Sequence, residues 1–305
     1  MSAPTRTDLQ PDENGVLYSH GGDEWIVAQL AESMSLNAHL RAQAITRRLT
    51  ELKLPGVLEI CPANAAYMLR VDPDVAHPRA IVERLRELAD EVGDAEDFVL
   101  QTRIVDLPVL FRDEWTHAAL MRFRDRHQTP DRTDLEFAAE LNGYSTVDEF
   151  IAAIVGTPFI VSMIGFVPAV PWGYQLVPQE RQIEVPKYVR PRTFTPERAL
   201  GWGGGFTAIY PVDGAGGYQL FGICPGPMVD PAQRLHDFAD GFTFPRPGDL
   251  FRYRQIDRAE YDAIRKTVDD GSFRYRIREV EFVPSDWFAD PEATVRRLEG
   301  ALDAA

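Results

Sequence analysis

Residues 199–223 read ALGWGGGFTAIYPVDGAGGYQLFGI, and this segment decides how the second half of the chain folds. Its apolar runs, residues 206–212 and 218–222, have the length of strands and flank the glycine-rich residues 213–217. Short aromatic and β-branched runs that are separated by a few residues containing glycine are typical of β-hairpins. The spacing therefore predicts a hairpin that pairs residues 206–212 directly with residues 218–222.

Further β-rich runs lie on both sides of this segment, where proline and glycine are frequent after Thr157. They cover residues 159–163, 182–185, 250–255 and 273–282. Short strands at such spacing, with turn residues between them, indicate an all-β barrel or sandwich. A helix over residues 284–302 is expected to follow the last strand.

The first hundred residues alternate between strand and helix patterns. Helical spacing of apolar residues predicts one helix that is capped by Ser35 and a second that runs from Pro78 to a stop at Gly93. Strands are expected at residues 24–30, 56–60, 67–71 and 99–105. This β-α-β-β-α-β order predicts a ferredoxin-like α/β sandwich.

A polar helical segment separates the two halves, and within it Ser145 and Asp148 resemble a capping box for a helix over residues 147–155. The sequence thus predicts an α+β protein of three parts. Residues 1–112 form an α+β N-terminal domain and residues 113–157 a helical segment. Residues 158–305 form a β-barrel domain with a C-terminal helix.

Composition excludes several classes of function. The 305 residues include 47 acidic and 32 basic side chains, which gives a formal net charge of −15. This balance argues against binding to nucleic acid or to an anionic membrane. The two cysteines, Cys61 and Cys224, are too far apart in sequence to suggest a zinc site, and we expect no metal. Residues 1–14 are polar, unlike a signal peptide, so a cytoplasmic location is predicted.

Two segments carry candidate chemistry. The glycines 203–205 precede a strand rather than a helix, which excludes a dinucleotide fingerprint and leaves either an anion-binding nest or a tight corner of the sheet. Lys187, Arg190 and Arg192 either receive a carboxylate or neutralise nearby acids. Across the predicted hairpin, Tyr210 and Gln219 either hydrogen-bond a planar substrate or pack in the core. The six histidines are scattered and are expected on the surface or in packing roles.

Several motifs together resemble one known family, that of allophanate hydrolase subunit 1 and the B-type subunit of 5-oxoprolinase, and within it the carboxyltransferase region of urea carboxylase. The resemblance covers residues 25–256. It rests on Asp134-Leu135-Glu136-Phe137 with Leu141-Asn142-Gly143, Gly165-Phe166-Val167-Pro168 with Pro171, Lys187-Tyr188, Pro191-Arg192-Thr193, Thr195-Pro196-Glu197, Gly203-Gly204 before Ile209-Tyr210, Gly216-Gly217-Tyr218-Gln219 before Gly222, and Arg246-Pro247-Gly248-Asp249.

The resemblance implies a cyclophilin-like β-barrel behind the N-terminal domain. It also implies a subunit of a biotin-dependent carboxyltransferase that moves carboxyl from carboxybiotin to a urea, guanidine or amide nitrogen. No Met-Lys-Met run is present, so biotin is expected on another polypeptide. The implied partners are an allophanate hydrolase subunit 2-like protein, a biotin carboxylase, a biotin carrier protein and the small nitrogen substrate.

Site residues follow from the same motifs. The catalytic candidates are Lys187, Arg192, Tyr210 and Gln219. The candidates for substrate binding are Phe166, Pro168, Tyr188, Thr193, Gly203, Gly204, Gly205, Gly216 and Gly217. The family's glycine-glycine-glutamine-threonine-glycine run is Gly203-Gly204-Gly205-Phe206-Thr207-Ala208 here, a departure among the expected substrate contacts.

Two other functions stay open within this resemblance. One is a 5-oxoprolinase subunit, which opens a lactam at the expense of ATP together with further partners. The other is an inhibitor that binds a histidine kinase through its β-barrel. The long helical segment 113–155 favours urea carboxylase, since it is shorter in the other branches of the family.

Overall fold

The computed structural model describes residues 10–93 and 98–304, so the first nine of the polar residues 1–14 lie outside it. Its strands are β1 (Leu17–Gly21), β2 (Trp25–Gln29), β3 (Val57–Pro62), β4 (Ala66–Val71), β5 (Leu100–Phe111), β6 (Phe159–Ile164), β7 (Pro171–Gln175), β8 (Arg192–Thr195), β9 (Ala199–Gly203), β10 (Phe206–Ile209), β11 (Gly214–Gly216), β12 (Gln219–Ile223), β13 (Leu250–Gln255) and β14 (Arg276–Phe282). Its α-helices are α1 (Leu36–Leu52), α2 (Pro78–Val92), α3 (Glu114–Arg122), α4 (Asp134–Leu141), α5 (Val147–Val155), α6 (Arg258–Asp270), α7 (Pro284–Ala289) and α8 (Pro291–Asp303).

The chain divides into two compact units, and the second comprises Gln101–Val280 and the residues from Asp290 onward. The first unit runs to Leu100 and also includes the separate segment Glu281–Ala289. Its antiparallel sheet has the order β1-β2-β4-β3, with α1 packed on β3 and β4 and α2 packed on β2. As predicted, the Ser35 side chain caps α1 by accepting from the Ala38 N–H, and α2 begins at Pro78. The apolar faces of the two helices and of the sheet form one core.

The α+β class is confirmed, but the predicted membership of one strand in the first sheet is wrong. Residues 100–111 form β5, which belongs to the second unit from its second residue onward, and the edge position beside β2 is taken by β1. β1 pairs with β2 through a short connection, from Leu17 opposite Gln29 to Gly21 opposite Trp25. Closing so short a loop costs less chain entropy than bringing back a strand from beyond α2.

In the second unit, seven strands close on themselves. The strand order is β12-β9-β10-β7-β6-β13-β5, and β5 closes the sheet by pairing with β12. An eighth strand, β14, also pairs with β5. Only the β13–β5 pairing among those specified is parallel. The interior is filled by large aromatic residues such as Phe159, Trp202 and Phe221, and α4 and α5 add apolar residues to the same core. The description of this closed sheet as cyclophilin-like stays a prediction.

The predicted hairpin between residues 206–212 and 218–222 is wrong, because β9 lies between β10 and β12 and pairs with both. The tight hairpin is instead β9–β10, in which Gly203 faces Phe206 across the turn residues Gly204 and Gly205. Gly204 has φ +62°, a conformation that glycine adopts without strain. The glycine-rich stretch after residue 212 forms β11, which pairs with β8.

Four smaller differences concern helix ends and strands. The capping box of α5 is Thr146 with Glu149, one residue later than predicted. The C-terminal helix is two helices, since the Asp290 side chain caps α8 and Pro291 has no N–H to continue α7. Residues 182–185 form no strand, only a bridge from Val185 to Gly204, and α6 was not foreseen. No helix within residues 10–93 and 98–304 has the length and hydropathy needed to cross a bilayer.

Candidate functional site

A pocket of about 530 Å³ lies in the second unit, and we call it the aromatic pocket. It is lined by residues from the β6–β7 turn, β7, the end of β10, the segment before β8, β11 and the two residues between β11 and β12. These residues are Phe166, Val170, Trp172, Lys187, Tyr188, Val189, Pro191, Ala208, Tyr210, Ala215, Gly216, Gly217 and Tyr218. The structure thus brings six predicted site residues together: Phe166, Lys187, Tyr188, Tyr210, Gly216 and Gly217.

Tyr218 forms one wall of the aromatic pocket. A Cβ at Gly203 would overlap its ring, so Gly203 lets the ring lie flat on β9. The Lys187 ammonium lies 5.3 Å from the centre of the same ring, and the Trp172 ring packs edge-on at 5.8 Å. The Tyr218 hydroxyl and the Trp172 indole N–H are buried without a hydrogen-bond partner among the described residues. Two hydrogen-bond donors on residues that line the pocket therefore have no partner in the described part of the chain.

Tyr210 is buried beside Gly216, where a Cβ would overlap the Tyr210 hydroxyl. Burial raises the pKa of Tyr210, and the positive charge of Arg192 opposes this shift. Burial also raises the pKa of Tyr218. Both phenols are consequently neutral hydrogen-bond donors near neutral pH.

Arg192 lies behind the pocket wall and is fully buried. Its guanidinium is 4.5 Å from the centre of the Tyr188 ring, and its Nη2 donates to the Thr195 hydroxyl at 3.3 Å. Its Nε and Nη1 have no hydrogen-bond partner in the described part of the chain. The guanidinium therefore places a positive charge directly behind the pocket wall.

Asp134 lies on the far side of Tyr188 and is buried, although it is the first residue of α4. Its Oδ1 accepts from the Tyr188 hydroxyl at 2.6 Å, and its Oδ2 accepts from the Leu220 N–H at 2.6 Å. The His127 Nε2 lies 3.4 Å from Oδ1. Burial raises the pKa of Asp134, while these hydrogen bonds and the charge of Arg192 oppose the rise. The Tyr188 ring faces the pocket, but its hydroxyl is engaged behind the wall.

Gln219 is buried behind the pocket rather than within its lining. Its Nε2 donates to the Gln128 Oε1 at 3.1 Å and to the Pro186 carbonyl at 3.0 Å, which fixes the chain just before Lys187. Gln128 in turn donates to the Lys187 carbonyl. These contacts assign Gln219 to support of the segment that carries Lys187, and its predicted contact with substrate stays a prediction.

The remaining predicted residues lie around or outside the pocket. The Gly204 N–H donates to the Val185 carbonyl at 2.7 Å, so it is not free for an anion. Gly205 is in contact distance of the Tyr174 ring, outside the pocket lining. Thr193 is exposed on β8, and Pro168 is exposed in the β6–β7 turn. The structure describes no cluster of His, Cys, Asp or Glu that could hold a metal, within residues 10–93 and 98–304.

Sequence reasoning missed four residues of this region: Trp172, Tyr218, Asp134 and His127. Tyr218 had a signal, because it follows Gly216-Gly217 directly in a motif of the resemblance. Asp134 also stood in a quoted motif, but nothing there indicated that its side chain would be buried. His127 had no signal, since its only relation to Asp134 is spatial.

The family model described as "Carboxyltransferase domain, subdomain C and D" matches residues 16–238, and the chain belongs to this family. This confirms the resemblance that was based on sequence motifs.

Relatives and a solved structure agree with this assignment. The chain is 24% identical to the urea amidolyase of Lachancea kluyveri over 92% of its own length, but it spans only 15% of that protein. It is 25% identical to the B-type subunit of 5-oxoprolinase from Bacillus subtilis, covering 80% of this chain and 95% of the relative. The crystal structure of Kluyveromyces lactis urea carboxylase matches with a TM-score of 0.81 at 20% identity, over 97% of this chain and 26% of that one, and it shows the shared fold. The expectation that the chain is a subunit of an enzyme is confirmed by these relatives.

Proposed function

We propose that the chain is a subunit of a biotin-dependent carboxyltransferase that transfers a carboxyl group to the nitrogen of a urea, guanidine or amide compound. The observation that carries the proposal is the aromatic pocket, in which Lys187 and Tyr210 lie together with the glycines 216 and 217. Membership in the carboxyltransferase family supports the same reaction class.

The pocket suits a bicyclic cofactor ring. Its volume of about 530 Å³ lies in the range of pockets for cofactor-sized ligands, and a molecule as small as urea would leave most of it empty. Its walls are mainly aromatic and aliphatic. The open donors of Trp172 and Tyr218 match a ligand that carries a carbonyl oxygen, as the ureido ring of biotin does.

When bound, carboxybiotin, formed by a separate biotin carboxylase, would supply the carboxyl group that is transferred. Lys187 would attract and orient this carboxylate as a point charge at the pocket wall, and Arg192, buried behind that wall, would add its positive charge to the potential in the pocket. Tyr210, a neutral phenol, would donate a hydrogen bond to the substrate. The hydroxyl of Tyr218 would stabilise negative charge on the ring oxygen better than the Gly204 N–H, which is already donated to Val185.

We further propose that the chain works with a second subunit of the allophanate hydrolase subunit 2 type and with a biotin carboxylase and a biotin carrier protein. The chain spans about a sixth of the urea amidolyase that it matches, so the rest of such an enzyme would have to come from other polypeptides or domains.

The test is reconstitution with the proteins that co-purify from the native cells. We expect incorporation of labelled bicarbonate into urea or guanidine that depends on ATP and biotin. Lys187→Ala should lower the rate at least tenfold, whereas Arg190→Ala is the matched control, because Arg190 lies three residues away, pairs with Asp125 and is absent from the pocket lining. If Lys187→Ala and Arg192→Ala both left carboxyl transfer unchanged, the site assignment would be wrong.

A second function, that of a 5-oxoprolinase subunit, is favoured by one observation. The chain covers 95% of the 5-oxoprolinase subunit from Bacillus subtilis, so the two are similar in extent. ATP-dependent hydrolysis of 5-oxoproline by the same reconstituted proteins, insensitive to avidin, would decide for this alternative.

A further inference from the structure

The buried carboxyl group of Asp134 connects three segments that are far apart in sequence. It belongs to α4, it accepts from the hydroxyl of Tyr188 in the segment before β8, and it accepts from the Leu220 N–H of β12. Both contacts measure 2.6 Å, and each oxygen accepts one hydrogen bond, which is the arrangement of a carboxylate.

Asp134 is not needed to cap its own helix. Thr133 and Glu136 already form a complete capping box at the start of α4. The burial of Asp134 therefore has a cost in desolvation that the helix end does not explain. One of its hydrogen bonds instead holds Tyr188, which lines the aromatic pocket.

Tyr188 transmits this contact to the pocket. Its ring lines the pocket on one side, and the Arg192 guanidinium lies over it at 4.5 Å. The hydrogen bond to Asp134 fixes the position of the hydroxyl and therefore the direction of the Tyr188 ring axis. Arg192 has two nitrogens without a hydrogen-bond partner among the described residues, and the carboxylate of Asp134 acts on its charge from beyond the ring.

His127 completes the surroundings of the carboxyl group. Its Nδ1 accepts from the Thr129 N–H at 2.9 Å, and its Nε2 faces Asp134 Oδ1 at 3.4 Å. The His127 ring also packs edge-on against the Tyr188 ring at 5.1 Å. On its other side Asp134 borders a second cavity, whose titratable residues are Arg112, Asp113, His117 and Glu136.

We propose that Asp134 is a positioning residue of the aromatic pocket, which orients the Tyr188 ring and balances the charge of Arg192 so that both stay in place for a ligand. The proposal rests on the proposed function only for the choice of biotin as the ligand. The orientation of Tyr188 is a property of the chain itself.

The test compares Asp134→Asn with Asp113→Asn in the full chain. Asp113 is a matched control, because it is equally buried, accepts backbone N–H groups at the start of α3 and has no hydrogen bond to Tyr188 or Arg192. The first readout is the NMR signal of the ¹³C-labelled Tyr188 ring, assigned by its loss in Tyr188→Phe. We expect it to shift and broaden in Asp134→Asn and to stay unchanged in Asp113→Asn. An unchanged Tyr188 signal in Asp134→Asn would overturn the proposal.

The second readout is the affinity for free biotin, measured by calorimetry. Asp134→Asn and Tyr188→Phe are each expected to weaken binding about tenfold, and the double variant no further, because the two residues act through one contact. If the loss of affinity in the double variant equalled the sum of the two single losses, in free energy, the proposal would be overturned.

If the unchanged chain did not bind biotin, the proposed ligand would be wrong, and the NMR readout would still decide the role of Asp134. If Asp134→Asn did not fold, Tyr188→Phe, which removes only the hydroxyl, would carry the affinity test: unaltered binding there would count against the proposal.

Discussion

Two arginines are buried in the second unit, and each lies over an aromatic ring. Arg103 lies 4.6 Å from the centre of the Phe244 ring, and Arg192 lies 4.5 Å from that of Tyr188. Arg103 is bonded through Nε and Nη2 to both oxygens of Asp249, at 2.9 and 2.8 Å, and also to the Phe244 carbonyl. Arg192 has a single hydrogen bond that the structure specifies, to Thr195, and open donors at Nε and Nη1.

The difference separates a structural ion pair from a binding group. Breaking a fully satisfied buried pair leaves a charge without a partner, and such a change is strongly destabilising. An arginine whose donors are open stabilises the fold less, and Arg192 acts on the aromatic pocket through its charge and its contact with the Tyr188 ring. The same residue type thus serves the closed sheet at one position and the aromatic pocket at the other.

The largest effect is expected from Asp249→Asn, which leaves Arg103 buried without its counter-charge. The free energy of unfolding should fall by about 3–5 kcal/mol, measured by urea denaturation. Arg84, which pairs with Glu87 on the exposed face of α2, offers the control: Arg84→Met should leave the urea midpoint almost unchanged. A loss as small as that of the control would remove the contrast between the two buried arginines.

Gly216→Ala should have the next largest effect, since Gly216 lies opposite Arg192 in the β8–β11 pair and its Cβ would overlap the Tyr210 hydroxyl. We expect a loss of about 1–3 kcal/mol together with weaker binding of biotin. Gly214→Ala, two residues earlier on β11, meets no atom within 4 Å and should change neither quantity. Equal effects of the two substitutions would show that the pocket side of β11 is not tightly packed.

A smaller change in stability is expected from Arg192→Met, which removes a charge whose donors are largely unused. The free energy of unfolding should fall by about 1 kcal/mol or less, because Asp134 keeps its hydrogen bonds from Tyr188 and from the Leu220 N–H when the charge of Arg192 is removed. Carboxyl transfer by the reconstituted enzyme should nevertheless fall at least tenfold. Stability loss comparable to that of Asp249→Asn would make Arg192 a structural residue like Arg103.

The smallest expected effect is a change in how the free energy of unfolding depends on pH. Burial raises the pKa of Asp134 in the folded chain above its ordinary value of about 3.9. The unfolded chain therefore releases this proton at lower pH than the folded chain, and the stability that Asp134 contributes is lost as the pH rises from about 4 through the folded pKa. Urea titrations at several pH values should show wild-type stability falling relative to Asp134→Asn over this range. If wild-type stability instead rose with pH relative to Asp134→Asn, the hydrogen bond from Tyr188 and the charge of Arg192 would hold the pKa of Asp134 below its ordinary value.

Local patterns predicted most of the elements correctly. The Ser35 cap, the start of α2 at Pro78 and the strand at residues 250–255 were all read from sequence, because each depends on neighbours along the chain. The motifs of the resemblance also placed Lys187 and Tyr210 at one site, and the aromatic pocket contains both.

Pairing between distant segments was not accessible in the same way. The insertion of β9 between β10 and β12 overturned the predicted hairpin; β9 has two glycines in its five residues and was not predicted as a strand. Strand neighbours are decided by which arrangement closes the sheet and buries the aromatic core, and a hairpin signal of glycines does not contain that information.

By itself, the sequence determined the α+β class, the family and the loop that carries Lys187, because composition, periodicity and contiguous motifs are properties of the chain. Only the tertiary structure decided that Arg192 is fully buried, that Asp134 accepts from Tyr188, 54 residues away, and that the donors of Trp172 and Tyr218 are open. The physical reason is that the strength of a charge or hydrogen bond depends on burial and on partners in space, which folding brings together from separate parts of the chain.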